Sequence, residues 1–257
     1  TSPSQKRIKL MLNAREVSSV SSFKRHPAIE PGAYPARVVM VANIGVQTQR
    51  DFKGETRPPR MDLLVTYELL DEFLKDEDGN DDLEKPRWMS ERFGFSNLES
   101  DRATSTKRYY ALDADEVYGG DWLQLISTPC MVNVVNYTNK NKEIRDKISN
   151  VSSMRPKEAS KAPPLLNTPV TFDFYSPDLE SLQALPKWVR KVISEAVNYE
   201  GSRVEALMSQ VVEDRIKEDL SNDLDDEIPF DPPAVPNKER VQPVKNSRSK
   251  KIEDDWD

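Results

Sequence analysis

Apolar residues recur at every second position along residues 61–73, MDLLVTYELLDEF. Leu63, Val65, Tyr67 and Leu69 fall on one side of an extended chain, and Asp62, Thr66 and Glu68 on the other, which predicts a strand. The stretch before it, YPARVVMVANI at 34–44, is β-branched and apolar, opens on Pro35 and closes before Gly45. It predicts a first strand. Turn chemistry at 76–82, DEDGNDD, leads to a third strand at 86–95, PRWMSERFGF. The pattern then changes. Ser100-Asp101 can cap a helix that ends near Ala114, before Gly119-Gly120, and Asp121 can cap a short helix, WLQLI. Residues 130–138, CMVNVVNYT, predict a fourth strand, and Asn139–Lys142 a tight turn. A fifth strand returns over 143–151.

Three strands, a helix and a two-strand hairpin follow the order of an OB-fold, a five-stranded Greek-key barrel with its helix between strands three and four. The order is not unique to that fold. Residues 155–170 read as a Pro-rich loop. Beyond it the period becomes helical. Pro177-Asp178 opens one segment, with Leu182, Leu185, Val189, Val192, Ile193 and Ala196 at helical spacing. Ser202 can cap a second helix, with Glu205 three places on. These helices can pack on the barrel or serve self-association. The expected class is mainly β with added helices: a five-stranded OB-fold barrel, a C-terminal helical extension and a disordered acidic tail. The expected boundaries are a flexible basic arm at 1–30, the barrel domain at 31–176, the extension at 177–220 and the tail at 221–257.

Charge sharpens this division. Pro outnumbers Gly by 19 to 8 and a third of the residues are charged (32%), which assigns much of the chain to tails and loops. The net charge of −7 argues against a phosphate-binding surface until its distribution is considered. Residues 213–231 hold nine acids against two bases, a deficit equal to that of the whole chain. The remainder is balanced, so its cations can gather locally. The arm already holds Lys6, Arg7, Lys9, Arg15, Lys24 and Arg25.

No apolar run approaches the roughly 20 residues that cross a bilayer, and residues 1–10 lack the apolar segment of a secretion signal. Cys130 is the single cysteine and sits in an apolar run, where packing is the expected role. A reduced cytoplasmic setting is expected, in the host cell if the source is viral. His26 is the single histidine, and no Gly-rich phosphate loop is present. No catalytic residue, metal or cofactor is therefore expected.

The candidate chemistry lies in two loops that flank the binding face of an OB barrel. The first, 44–60, offers Gln47, Gln49, Arg50, Lys53, Arg57 and Arg60, with Phe52 among them. The second, around 137–145, carries Tyr137, Lys140, Lys142 and Arg145. The third strand adds Trp88, Arg92, Phe93 and Phe95, and the helix adds Lys107 and Arg108, beside Tyr109 and Tyr110. Cations interleaved with aromatics suit single strands: the cations meet phosphates while rings stack on bases. The same residue types also fill cores and coat surfaces, and for Trp88 and Phe93 filling the core is the favoured role. Phe52, in a polar Gly-containing loop, gains little by packing there.

GAYPARVVMVANIGVQTQRDFKGETRPPR at 32–60 resembles the single-stranded DNA-binding proteins of tailed bacteriophages. So do LLVTYELLDEF, KPRWMSERF, STKRYYALDAD, GGDWLQLISTPCMVNVV, NVSSMRP and, at 185–207, LPKWVRKVISEAVNYEGSRVEAL. The resemblance covers about residues 30–210. It implies an OB-fold that coats single-stranded DNA without sequence preference during phage replication, recombination and repair. Further on, Asp225, Asp226, Glu227, Ile228, Pro229 and Phe230 resemble the tip by which bacterial single-stranded DNA-binding proteins dock replication and recombination partners. There the Phe is last; here 27 residues follow it. Asp254, Asp255 and Trp256 repeat the acid-plus-aromatic recipe. The rival expectations are a protein-interaction adaptor on the same barrel and a strand-annealing protein.

Overall fold

The computed structural model describes residues 26–76 and 78–218. Most of the expected basic arm, and the acidic tail with Phe230 and Trp256, lie outside the described residues. The chain runs β1 (Gly32–Gln47), β2 (Arg60–Lys75), β3 (Asp81–Gly94), α1 (Thr104–Leu112), a 3-10 turn (Trp122–Leu125), β4 (Pro129–Thr138) and β5 (Ile144–Ser153). It continues through α2 (Pro156–Ala159), β6 (Val170–Asp173), α3 (Leu179–Ala184), α4 (Lys187–Ser194) and α5 (Arg203–Glu218). The molecule is mainly β, with one six-stranded sheet and a few helices.

The strand path is β3-β2-β1-β4-β5, antiparallel throughout, and β6 joins β1 in parallel. β1 is long enough to hold two partners on one edge. Its Gly32–Arg37 half pairs with β4, and Met40–Asn43 pairs with β6. Breaks in register against β2 follow Val38 and Asn43, where an extra residue bends the strand.

The closure expected of a barrel is not made by strands. Among the described residues the path ends at β3 and β5, with no ladder joining them, so the sheet is open rather than a hydrogen-bonded closed barrel. Side chains span the gap. Arg87 of β3 pairs with Asp146 of β5 at 2.8 Å. Arg108 of α1 donates to both oxygens of Glu91 in β3 (2.8 and 3.1 Å) and to Asn150 Oδ1 in β5 (3.0 Å). Tyr67 Oη donates to the same Glu91. α1 therefore sits where a further ladder would close the sheet.

Both faces of the central strands are covered. Leu63, Val65, Tyr67 and Leu69 pack with Phe93, Tyr109 and Trp122 in one cluster. Val39, Met40, Ala42 and Leu64 pack in a second cluster with Phe172, Leu182, Leu185, Val189, Ile193 and Val204. The unbroken apolar run at 38–42 is what a strand buried on both sides requires. The polar face of β2 is consequently covered too, and its groups find partners. Thr66 shares a hydrogen bond with Ser90 (2.9 Å). Glu68 accepts from the Leu166 and Asn167 backbone, the Asn167 amide and Trp88 Nε1.

The helices that cover this second face form where their caps stand. Asp178 accepts from Ser181 N–H (2.8 Å), and Ser202 from Glu205 N–H (3.2 Å) while Glu205 reaches back to Gly201 N–H (2.7 Å). Pro186 splits the first expected helix into α3 and α4, since its ring cannot continue the preceding helix. α1 starts after Ala103 without a side-chain cap, later than Ser100-Asp101 suggests, whereas Asp121 does cap the 3-10 turn. The Pro-rich stretch holds α2 and leads into β6, neither of which its composition announces.

Gly45 marks the point where extension and sheet meet. It has φ +78°, and a Cβ there would lie 2.8 Å from the Phe174 ring. Gly45→Ala should therefore lower stability by about 2–3 kcal/mol, from left-handed strain plus overpacking. Urea unfolding of the full chain reads this directly, and an unchanged midpoint would refute it.

Cys130 is fully buried on β4, and burial pushes its thiol up to about 12. At neutral pH it is a small apolar side chain rather than a nucleophile.

Candidate nucleic-acid interface

The β1–β2 connection is built to hold one ring in solvent. Gln47 and Arg60 form the last cross-strand pair. Between them, Phe52 and Glu55 exchange backbone hydrogen bonds at 2.9 and 3.0 Å. Lys53 and Gly54 fill the turn with φ of +53° and +83°. Two positive φ values are what a two-residue hairpin turn of the favoured hand demands, and Gly supplies the second without strain. Gln49 Nε2 donates to Pro58 O (2.6 Å) and ties the two limbs together. Phe52 stands 52% exposed at this tip. The Arg57 guanidinium lies 4.4 Å from its ring centre and Lys53 Nζ 5.4 Å. The ring thus gathers cations instead of apolar neighbours. Every residue from Arg50 to Arg60 is exposed.

At the base of the loop a buried carboxylate holds two arginines. Asp62 accepts from Arg60 Nε (2.8 Å) and from Arg92 Nε (2.7 Å), one on each oxygen. One negative charge against two positive ones leaves this cluster cationic. Arg60 keeps half its side chain in solvent. Its guanidinium passes over Gly94, where a Cβ would come within 2.6 Å of Nε. Phe95 follows at the surface, its N–H bonded to Met61 O (2.8 Å).

The β4–β5 turn is organised by Asn139, whose Oδ1 accepts from the N–H groups of Asn141 (2.9 Å) and Glu143 (3.0 Å). Lys140 and Lys142 are both exposed on it, and Arg145 pairs with Glu143 at 2.7 Å. Tyr137 is exposed, with Lys147 Nζ 5.4 Å from its ring centre. Lys147 is an addition to the expected set. Period-two pairing across the hairpin could have found it, because Val135 faces Lys147 just as Tyr137 faces Arg145. By register the two loops leave opposite ends of β1.

Other expected contacts point inward. Gln47 is buried, donating to Ile44 O (2.7 Å) and Val192 O (3.1 Å) and accepting from Arg92 (3.3 Å). Phe93 is a core ring 5.6 Å from Trp122. Arg108 is buried in the β3–β5 gap, as described above. Trp88 is half-buried against the second cluster, with its N–H on Glu68 (3.1 Å). In this conformation these four are supports of the fold, and Gln47 meets the site through Arg92. Lys107, one position from Arg108 on α1, is exposed.

No protein-family model matches this chain, and comparison with the curated proteins and with the solved structures finds no match. Among the described residues, no helix is long and apolar enough to cross a membrane.

Proposed function

We propose that this protein binds single-stranded DNA without sequence preference. The observation that carries the reading is the Phe52 hairpin: an exposed ring held on a tight turn, with Lys53 and Arg57 against it and Arg50 and Arg60 exposed in the same loop. A ring so placed can stack on any base, because every base has a π-face, while the cations meet the flanking phosphates. The Asp62 cluster extends the cationic surface, and the Lys140–Lys147 turn offers further cations at the other end of β1. Strand order supports the same reading. Three strands, a helix and a hairpin, with α1 lodged between β3 and β5, suit an OB-fold whose last seam is closed by Arg87 and Arg108 instead of a backbone ladder. The phage-protein resemblance over residues 30–210 points the same way, to work in DNA replication, recombination and repair in the host cytoplasm. The acidic stretch 213–231 and the EDDWD residues are the proposed contacts for replication or recombination partners. The reading assigns no catalytic group.

A salt titration tests it. Labelled dT oligonucleotides should bind far more tightly than duplex of equal length. The logarithm of affinity should fall linearly with the logarithm of salt, by about 0.7 for each phosphate neutralised. Equal affinity for both forms, or no dependence on salt, would sink the proposal and favour an adaptor. Accelerated pairing of complementary strands would identify an annealing protein instead.

A further inference from the structure

The end of β1 carries a second exposed aromatic, contributed by the C-terminal half of the chain. β6 runs parallel to β1 with Asp173 opposite Asn43. The chain turns at once beyond it, Ser176 N–H donating to Asp173 O (3.2 Å), and the turn lies against Gly45, where a Cβ would come 2.8 Å from the Phe174 ring. Tyr175 lies in this turn and is 61% exposed. It is firmly held for a surface ring. Its N–H donates to Asp173 Oδ1 (3.2 Å), which also accepts from Asn43 Nδ2 (2.9 Å). The Phe174 ring meets it edge-on at 5.7 Å, and Asn198 Nδ2 donates to its hydroxyl at 3.5 Å. Asn198 is itself fixed to β1, accepting from Val46 N–H (2.8 Å). Its neighbour Val197 donates its N–H to Val46 O (2.7 Å) and is 55% exposed. Tyr175 and Val197 thus form an apolar ledge against the last residues of β1. On the other side of β1, Gln47 pairs with Arg60.

We infer that the Tyr175–Val197 ledge is a second base-stacking platform, used by the same single strand that meets Phe52. This rests on the single-strand reading above. The physical case is continuity. The ledge abuts the strand end from which the Phe52 loop springs, and neighbouring strands lie about 5 Å apart, so a bound strand can cross β1 from the arginine side to the ledge. A ring already immobilised by Phe174, Asn198 and Asp173 loses little freedom when a base stacks on it. Val197 offers apolar surface beside the ring and no competing hydrogen bond. The stacking face rather than the hydroxyl is the working part.

Binding of a labelled dT oligonucleotide to the full chain decides the matter. Tyr175→Ala should weaken it by about 5- to 100-fold, the range expected for one lost stack. Tyr175→Phe should keep wild-type affinity. Oligonucleotides carrying 5-iododeoxyuridine, irradiated on the unaltered protein, should crosslink to Tyr175. Wild-type affinity in Tyr175→Ala, or crosslinks confined to other residues, would overturn the ledge and leave the Phe52 loop standing. Failure of the wild-type chain to bind single strands would overturn both. If Tyr175→Ala does not fold, the crosslink on the unaltered chain is decisive by itself.

Discussion

Replacing Arg108 with alanine should cost the fold about 3–5 kcal/mol, because it leaves the Glu91 carboxylate buried and unpaired. Both side chains are largely out of solvent, at 7% and 13% exposure, so water cannot take over the role of the guanidinium. The loss reaches further than one pair. Arg108 also holds Asn150 of β5, so among the described residues the β3–β5 gap would keep Arg87 and Asp146 as its charged link. Urea unfolding would show a lower midpoint. DNA affinity measured well below that midpoint should be unchanged. The opposite outcome, with stability intact and DNA affinity lost, would make Arg108 a ligand contact and would mean that the gap opens when DNA binds. Arg108→Lys should not rescue fully, since one ammonium cannot serve both Glu91 oxygens and Asn150 with the same geometry.

The second large effect is expected at the loop tip and should have the reverse signature. The triple change of Arg50, Phe52 and Lys53 to alanine removes one stack and two cations from residues that support no core. Affinity for dT oligonucleotides should fall on the order of 100-fold, and the salt slope should lose about 1.4. Unfolding should be unaffected within about 0.5 kcal/mol, as for surface changes in general. A triple variant that binds like wild type would withdraw the loop from the interface, and the single-strand proposal would lose its main support.

The two variants separate cations by what they touch, and that separation was only half legible in the sequence. Arg50, Phe52, Lys53 and Arg57 could be recognised because the signal was local. A polar stretch with Gly54 can turn but cannot bury a ring. Arg108 and Gln47 carry the same residue chemistry, yet each is buried. Gln47 is held by Val192, 145 residues away, and Arg108 by Asn150, 42 residues away. Nothing within a few residues of either announces those partners. Glu68 is the same case: alternation places it opposite Tyr67, but the donors that satisfy it arrive from Leu166 and Asn167.

The secondary structure divides in the same way. Five strands, the Asn139 turn, and the Asp121, Asp178 and Ser202 caps were readable because periodicity and capping act over two to four residues. β6 was not, being four residues long and existing only because β1 leaves it an edge. The resting place of the helical extension was also open, between the sheet and a self-association surface. Burial of its apolar face against Val39, Met40, Ala42 and Leu64 answers that question for the residues of the second cluster.

By itself the sequence determined the mainly β class, the order of its strands and the one loop whose composition suits an exposed ring. These follow from alternation, turn chemistry and charge within short windows. Only the tertiary structure decided that the sheet stays open between β3 and β5, which polar side chains are buried supports, and that Tyr175 stands beside the end of β1. Each of those depends on which distant segment fills a given space, and burial is a property of the assembled chain rather than of any stretch of it.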